Sequence, residues 1–89
     1  MRRIELDIRN IATRDALHIY LQYMLELPAY YGRNLDALND LLSTESEETE
    51  ITLYVQGCTS EEMLAYLPKL KRVMQDAAQE NPRVRIVIK

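Results

Sequence analysis

Asp36 and Asp40 stand four residues apart. On a helix that spacing places both carboxylates on one face, with β-carbons about 5–6 Å from each other. Three kinds of chemistry use such a pair: a general acid–base dyad, a divalent-cation site that could add Asp76, or a patch that meets positive charge on a partner. The first two need a cleft that perturbs pKa values or gathers further ligands, and a short helix on a small domain encloses little. The downstream loop also lacks the alternating Asp/Asn-with-Gly spacing of a calcium site. Asp36, near the helix N-terminus, is favoured by the dipole, but Asp40 gains nothing there and the like-charge pair destabilises the helix slightly. A partner that supplies positive charge explains the pair. On periodicity alone, a solvated face opposite the leucines explains it equally well.

Other reactive side chains are few. His18 is the only histidine and lies in an amphipathic stretch with no visible nucleophile or base beside it, which favours a structural or exposed role over catalysis. Cys58, the only cysteine, follows Gly57 at a strand end, where a small, half-buried side chain is expected. A lone cysteine excludes an internal disulfide and any zinc site built from several thiolates. Two glycines are too few for a phosphate-cradling loop, and no dinucleotide fingerprint is present. The sequence therefore offers no catalytic residue, no cofactor site and no metal site. Tyr30-Tyr31 adds an aromatic pair just before the acidic helix; adjacent side chains point different ways, so one is expected in the core and the other presented to a partner.

Charge is distributed unevenly along the chain. From Asn34 to Pro68 there are eight acidic residues and no Lys or Arg, whereas the remainder carries six acidic and eleven basic residues, so the two parts stand at −8 and +5 within a net charge of −3. A negative surface of this kind suits a basic partner and repels nucleic-acid phosphates. A solvated acidic loop without a partner is the plainer alternative.

The elements that must position these residues follow from periodicity. Ile4, Leu6 and Ile8 alternate with charged residues in a first strand. Thr13 caps a helix with Ala16, Leu17, Tyr20, Leu21 and Met24 on its apolar side, ending by Leu27 before Pro28. Asn34 caps a second helix to about Ser43, its buried side formed by Leu35, Leu38, Leu41 and Leu42. Thr44–Glu50 is then an acidic loop, and Ile51, Leu53 and Val55 mark a second strand that Gly57 terminates. Thr59 and Glu62 form a capping box for a third helix, and Pro68 opens a fourth at its first position, because an interior proline costs about 3 kcal/mol. Asn81-Pro82 breaks that helix before a strand over Arg83–Lys89. The expectation is one domain over residues 1–89, an α/β fold of order βααβααβ with a three-stranded parallel sheet packed with helices. Acidic residues interrupt the N-terminal stretch where a signal peptide would be apolar, and no segment is long enough to span a membrane, so the chain is expected in the cytoplasm, away from membranes.

The run Leu27-Pro28-Ala29-Tyr30-Tyr31-Gly32-Arg33-Asn34-Leu35-Asp36-Ala37-Leu38-Asn39-Asp40 closely resembles the signature segment of the barstar family of ribonuclease inhibitors. It combines a turn, a cap, an aromatic pair and an acidic residue in one register; elsewhere the similarity is in length and element order. The resemblance implies a barstar-like fold whose second helix enters the groove of a guanine-specific ribonuclease, its acids imitating substrate phosphate. Asp40 then matches the central anchor, Asp36 and Tyr30 match further contacts, Gly32 and Asn34 match positions that shape the helix start, and Asp76 falls where the fourth helix supplies another acid. Asn39 stands where the best-known member is aromatic, and Ser43–Glu48 lacks the tryptophan and glycine found there. That departure implies the same mode of binding against a different target, such as a related secreted nuclease or another basic toxin.

The resulting expectation is a cytoplasmic toxin-immunity protein: a non-enzymatic inhibitor, monomeric when free. It would bind a basic ribonuclease or nuclease-like toxin through Tyr30, Asn34, Asp36, Asn39, Asp40, Thr44 and Asp76, without cofactor, metal or nucleic acid. The alternative is a regulatory module that uses the same acidic face on a basic partner that is not a nuclease.

Overall fold

A computed structural model describes residues 1–89. Strand β1 (Arg2–Asp7) is followed by helices α1 (Arg14–Met24) and α2 (Leu35–Ser43), strand β2 (Thr49–Tyr54), helix α3 (Glu61–Glu80) and strand β3 (Val84–Ile88). The three strands form one parallel sheet with β2 in the centre. In register, Ile51 of the central strand pairs with Ile4 and Ile86, and Leu53 with Leu6 and Ile88, so these apolar positions fall on one face. Against that face, Leu17 and Leu21 from α1, Leu38 and Leu42 from α2, and Met63, Leu67, Leu70, Met74 and Ala77 from α3 complete a single hydrophobic cluster. No helix is long and apolar enough to cross a membrane.

The opposite face of the sheet carries Arg3, Glu5 and Asp7, then Glu50, Thr52 and Tyr54, then Arg85 and Val87. Parallel sheets usually have both faces covered by helices. Here the open face meets water because its charges satisfy one another: Arg85 lies 3.6 Å from Glu50, Arg9 pairs with Asp7 at 2.8 Å, and the Tyr54 hydroxyl donates to Glu5 at 3.1 Å.

Three expectations from sequence are corrected. The third and fourth helices are one helix, giving the order βααβαβ, with Pro68 inside α3. The buried residues Met63, Leu67, Leu70, Met74 and Ala77 recur at intervals of four and three straight through the proline, so splitting the helix would break a continuous apolar stripe. Pro68 is on the exposed side and deprives Leu64 of a donor to its carbonyl; Leu64 is itself exposed, and water can serve that oxygen. The α3 cap is Ser60 and not Thr59: its side chain accepts from the Met63 amide, while Glu62 accepts from the Arg14 amide at the start of α1. Thr49 and Glu50, assigned to the acidic loop, begin β2, because Thr49 pairs with both Arg2 and Val84 and is buried.

Replacing Pro68 with Ala should raise unfolding stability by about 1–3 kcal/mol, since the restored amide can reach the Leu64 carbonyl. Urea denaturation checks this; a loss of stability would mean that the helix does need a proline-opened start at residue 68.

Candidate functional site

Helix α2 is nine residues long and its start is built by side-chain hydrogen bonds. Asn34 Oδ1 accepts from the Ala37 amide at 2.8 Å, and Asn34 Nδ2 donates to the Gly32 carbonyl at 3.1 Å. A β-carbon at residue 32 would sit 3.1 Å from that Nδ2, so a glycine lets the capping side chain close over its own turn. Arg33 between them takes φ 53, in the left-handed region where Gly or Asn is easier. At the other end, the hydroxyl of Thr44 donates to the Asp40 carbonyl at 2.8 Å and Ser43 Oγ donates to the same oxygen at 3.2 Å.

Leu38 and Leu42 are buried on α2, while Leu35 and Leu41 are half-buried. Asp36 and Asp40 are exposed on the remaining face and Asn39 is partly covered. Neither aspartate takes part in any of the six ion pairs of the molecule. Of the eight acids between Asn34 and Pro68, three are matched internally: Glu47 by Arg2 at 3.5 Å, Glu50 by Arg85 at 3.6 Å and Glu62 by Arg14 at 3.7 Å. The −8 segment read from sequence is therefore partly neutralised in the fold, and the α2 pair belongs to the part that is not.

Six of the seven proposed contact residues, Tyr30, Asn34, Asp36, Asn39, Asp40 and Thr44, thus occupy α2 and its two approaches. Asp76 lies apart, exposed on α3, the helix against which α2 packs, and its ion-pair partner is Arg72 at 3.9 Å. No group of three His, Cys, Asp or Glu side chains lies close enough together to hold a metal ion, so Asp36, Asp40 and Asp76 form no ligand set.

The tyrosine pair divides as adjacency demands. Tyr30 is 80% exposed and Tyr31 5%. The Tyr31 hydroxyl lies 2.6 Å from His18 Nδ1, and His18 Nε2 lies 2.8 Å from the Tyr66 hydroxyl on α3. Burial pushes the His18 imidazole below its ordinary 6.5, the carboxylate of Asp15 opposing and Arg14 reinforcing the shift. The same burial drives the Tyr31 hydroxyl far above its usual range. At neutral pH the triad is therefore uncharged.

Asn81, buried after α3, is a second unforeseen support. Its Nδ2 donates to the carbonyls of Leu42 and Glu45, each at 2.9 Å, and its Oδ1 accepts from the Arg83 amide at 3.1 Å. One side chain thereby satisfies the C-terminal end of α2 and turns the chain into β3. In the sequence Asn81, before Pro82, reads only as a helix breaker. A single asparagine gives no sign of carbonyls 39 and 36 residues away.

A model of the family described as "Barstar (barnase inhibitor)" matches residues 1–89. A curated protein described as "Putative ribonuclease inhibitor YrdF", from Bacillus subtilis (strain 168), is 35% identical over 82 residues, which cover 90% of this chain and 89% of that protein.

The division of labour between the tyrosines is testable by stability alone. Tyr31→Phe removes a buried hydroxyl and leaves His18 Nδ1 without a donor, so it should cost about 1–3 kcal/mol in denaturant unfolding. Tyr30→Phe should stay within about 0.5 kcal/mol of the parent protein, as for exposed positions generally.

Proposed function

The chain belongs to the barstar family, and from that membership we propose that it inhibits a ribonuclease by placing α2 and the Pro28–Asn34 loop in the enzyme's basic groove. It would do so in the cytoplasm as a one-domain monomer, with no catalytic step and no cofactor. The observation that carries this reading is the pair Asp36 and Asp40, exposed and unpaired on a helix whose leucines are in the core.

A groove that cleaves RNA must hold Arg, Lys and His side chains where phosphate oxygens will lie. Carboxylates can accept from the same donors, and charge-assisted hydrogen bonds of this type are short and strong. In this mechanism Asp40, at the middle of the presented face, takes the most enclosed cationic groups. Asp36 contributes a second acceptor one turn earlier, Tyr30 covers the rim with its ring and hydroxyl, and Asn39, Thr44 and Asp76 meet the periphery. The inhibitor competes with substrate and undergoes no chemistry. Unpaired acids on its surface also speed encounter with a basic enzyme. Direct binding of RNA by this face is disfavoured, because phosphate and carboxylate repel.

The partial neutralisation seen in the fold supports a ranking of the acids. Asp40→Ala should weaken inhibition by about 2–5 kcal/mol, because its loss would leave desolvated cations unmatched. Glu47→Ala, exposed and paired to Arg2, should change it by about 0–1 kcal/mol. Titration of both variants against small basic microbial ribonucleases, including any encoded beside this gene, reads the difference as loss of RNA-cleavage inhibition. Association should also slow as salt is raised toward about 0.1 M and beyond, where screening acts over about 10 Å. Equal small losses for the two variants would remove α2 from the account, and capture of a basic protein that is not a nuclease would favour a regulatory module instead.

A further inference from the structure

The buried side chains with polar or titratable groups are His18, Tyr31, Thr49, Cys58 and Asn81. Of these, His18 is the one that gains a positive charge when it takes up a proton in mild acid. Hydrogen-bond satisfaction assigns its protons. Tyr31 is buried and its hydroxyl has His18 Nδ1 as partner, so the Tyr31 hydroxyl donates and Nδ1 accepts. Nε2 then carries the hydrogen and donates to Tyr66, whose half-buried hydroxyl can pass its own hydrogen to water. The chain of donors has one direction.

Protonation reverses part of it. A proton added at Nδ1 turns the acceptor into a donor aimed at Tyr31, whose hydroxyl hydrogen then has nowhere to go inside the core. A buried charge and an unsatisfied hydroxyl arise together, and both costs fall when Tyr31 leaves its site. Tyr31 is the residue that seats the loop before α2: its amide donates to the Pro28 carbonyl at 2.9 Å, Tyr30 precedes it, and the Asn34 cap follows three residues later.

We propose that His18, bracketed by Tyr31 and Tyr66, is a positioning residue for the Pro28–Asn34 loop and the start of α2, and that its protonation unseats them. Charged and titratable neighbours frame this latch on every side. On α1 these are Arg14 and Asp15; on α3 they are Tyr66, with Glu62 and Lys69 lining the same shallow cleft; from the loop there is Tyr31. Strand β1 turns Arg2, Ile4 and Leu6, followed by Ile8, toward the helices, and Arg2 is matched there by Glu26 and Glu47. Neutral when folded and ordinary at 6.5 when unfolded, His18 leaves stability intact above 6.5 and withdraws it as pH falls from there through its lower folded value. Loss of grip on a ribonuclease in acid rests on the inhibitor reading; the latch itself does not.

Amide hydrogen exchange of the free protein, corrected for intrinsic rates, tests it at about pH 7.5 and about pH 5. Protection at the amides of Tyr31 and Ala37 should fall in acid by about tenfold or more beyond any fall in β2. His18→Gln, which cannot be protonated but offers both a donor and an acceptor, should keep neutral-pH protection and lose the pH difference. Tyr31→Phe should show weak protection at both values. A fall at Tyr31 and Ala37 that merely parallels β2, or a pH difference that survives in His18→Gln, overturns the latch. Should His18→Gln not fold, survival of the pH difference in Tyr31→Phe overturns it equally. No ribonuclease enters these measurements, so failure of the latch and failure of the inhibitor reading are separable.

Discussion

A nine-residue helix with two carboxylates on one face cannot hold its own shape in water, where isolated helices shorter than about 12–15 residues are marginal. Everything about α2 depends on tertiary support. Its leucines give it a floor, but an apolar floor alone permits sliding and rotation, since hydrophobic contact is not directional. Direction comes from the two ends. Asn81 reaches from the end of α3 to the carbonyls of Leu42 and Glu45, and the His18–Tyr31 bond ties the entering loop to α1. Both supports are buried polar groups with their hydrogen bonds made, the arrangement that specifies one geometry and tolerates no half-measures.

The same logic explains how charge is used. The inhibitor face proposed for α2 would need acids that are not already matched, yet a small domain with fourteen acidic and eleven basic residues has many opportunities to match them. The fold spends its arginines elsewhere. Arg85 meets Glu50 on the open face of the sheet, Arg9 meets Asp7 there, Arg14 meets Glu62 where α1 and α3 begin, and Arg2 bridges Glu26 and Glu47. The first two pairs let a parallel sheet face water on one side, and none of them engages Asp36 or Asp40. Linear charge along the chain overstated the effect, because ion pairs form across strands and helices and not along the sequence.

The sequence made local structure readable and left long-range polar contacts hidden. The Asn34 cap, the leucine side of α2 and the opposite fates of Tyr30 and Tyr31 all arise from residues within a turn or two of each other, where spacing determines geometry. Strand alternation was equally plain. Pro68 is deceptive because its cost is local, whereas the stripe from Met63 to Ala77 that offsets it holds α3 together through tertiary burial across the missing donor. Ser60 displaced Thr59 as the cap for a related reason: its hydroxyl also donates to the Ala12 carbonyl at 2.6 Å, a contact between α3 and the loop before α1 that no capping-box spacing contains. The partners of His18 were invisible on the same grounds, since Tyr66 lies 48 residues away.

Rigid ends also change what binding has to supply. Ordering a loop or immobilising side chains on association subtracts from affinity, and a surface already held in place avoids much of that cost. The remaining strain in α2 is electrostatic: two like charges one turn apart repel, and Asp40 lies toward the end of the helix where the dipole is unfavourable. In the proposed complex a basic groove would remove that repulsion, so a term that weakens the free helix would become a term that strengthens binding. Such a design works only if the repulsion cannot be relieved earlier by fraying or rotation of α2. Asn81 at one end and Tyr31 at the other oppose that relief, which on the proposed inhibitor reading would make the two buried hydrogen-bonding clusters as much a part of recognition as the carboxylates they hold in place.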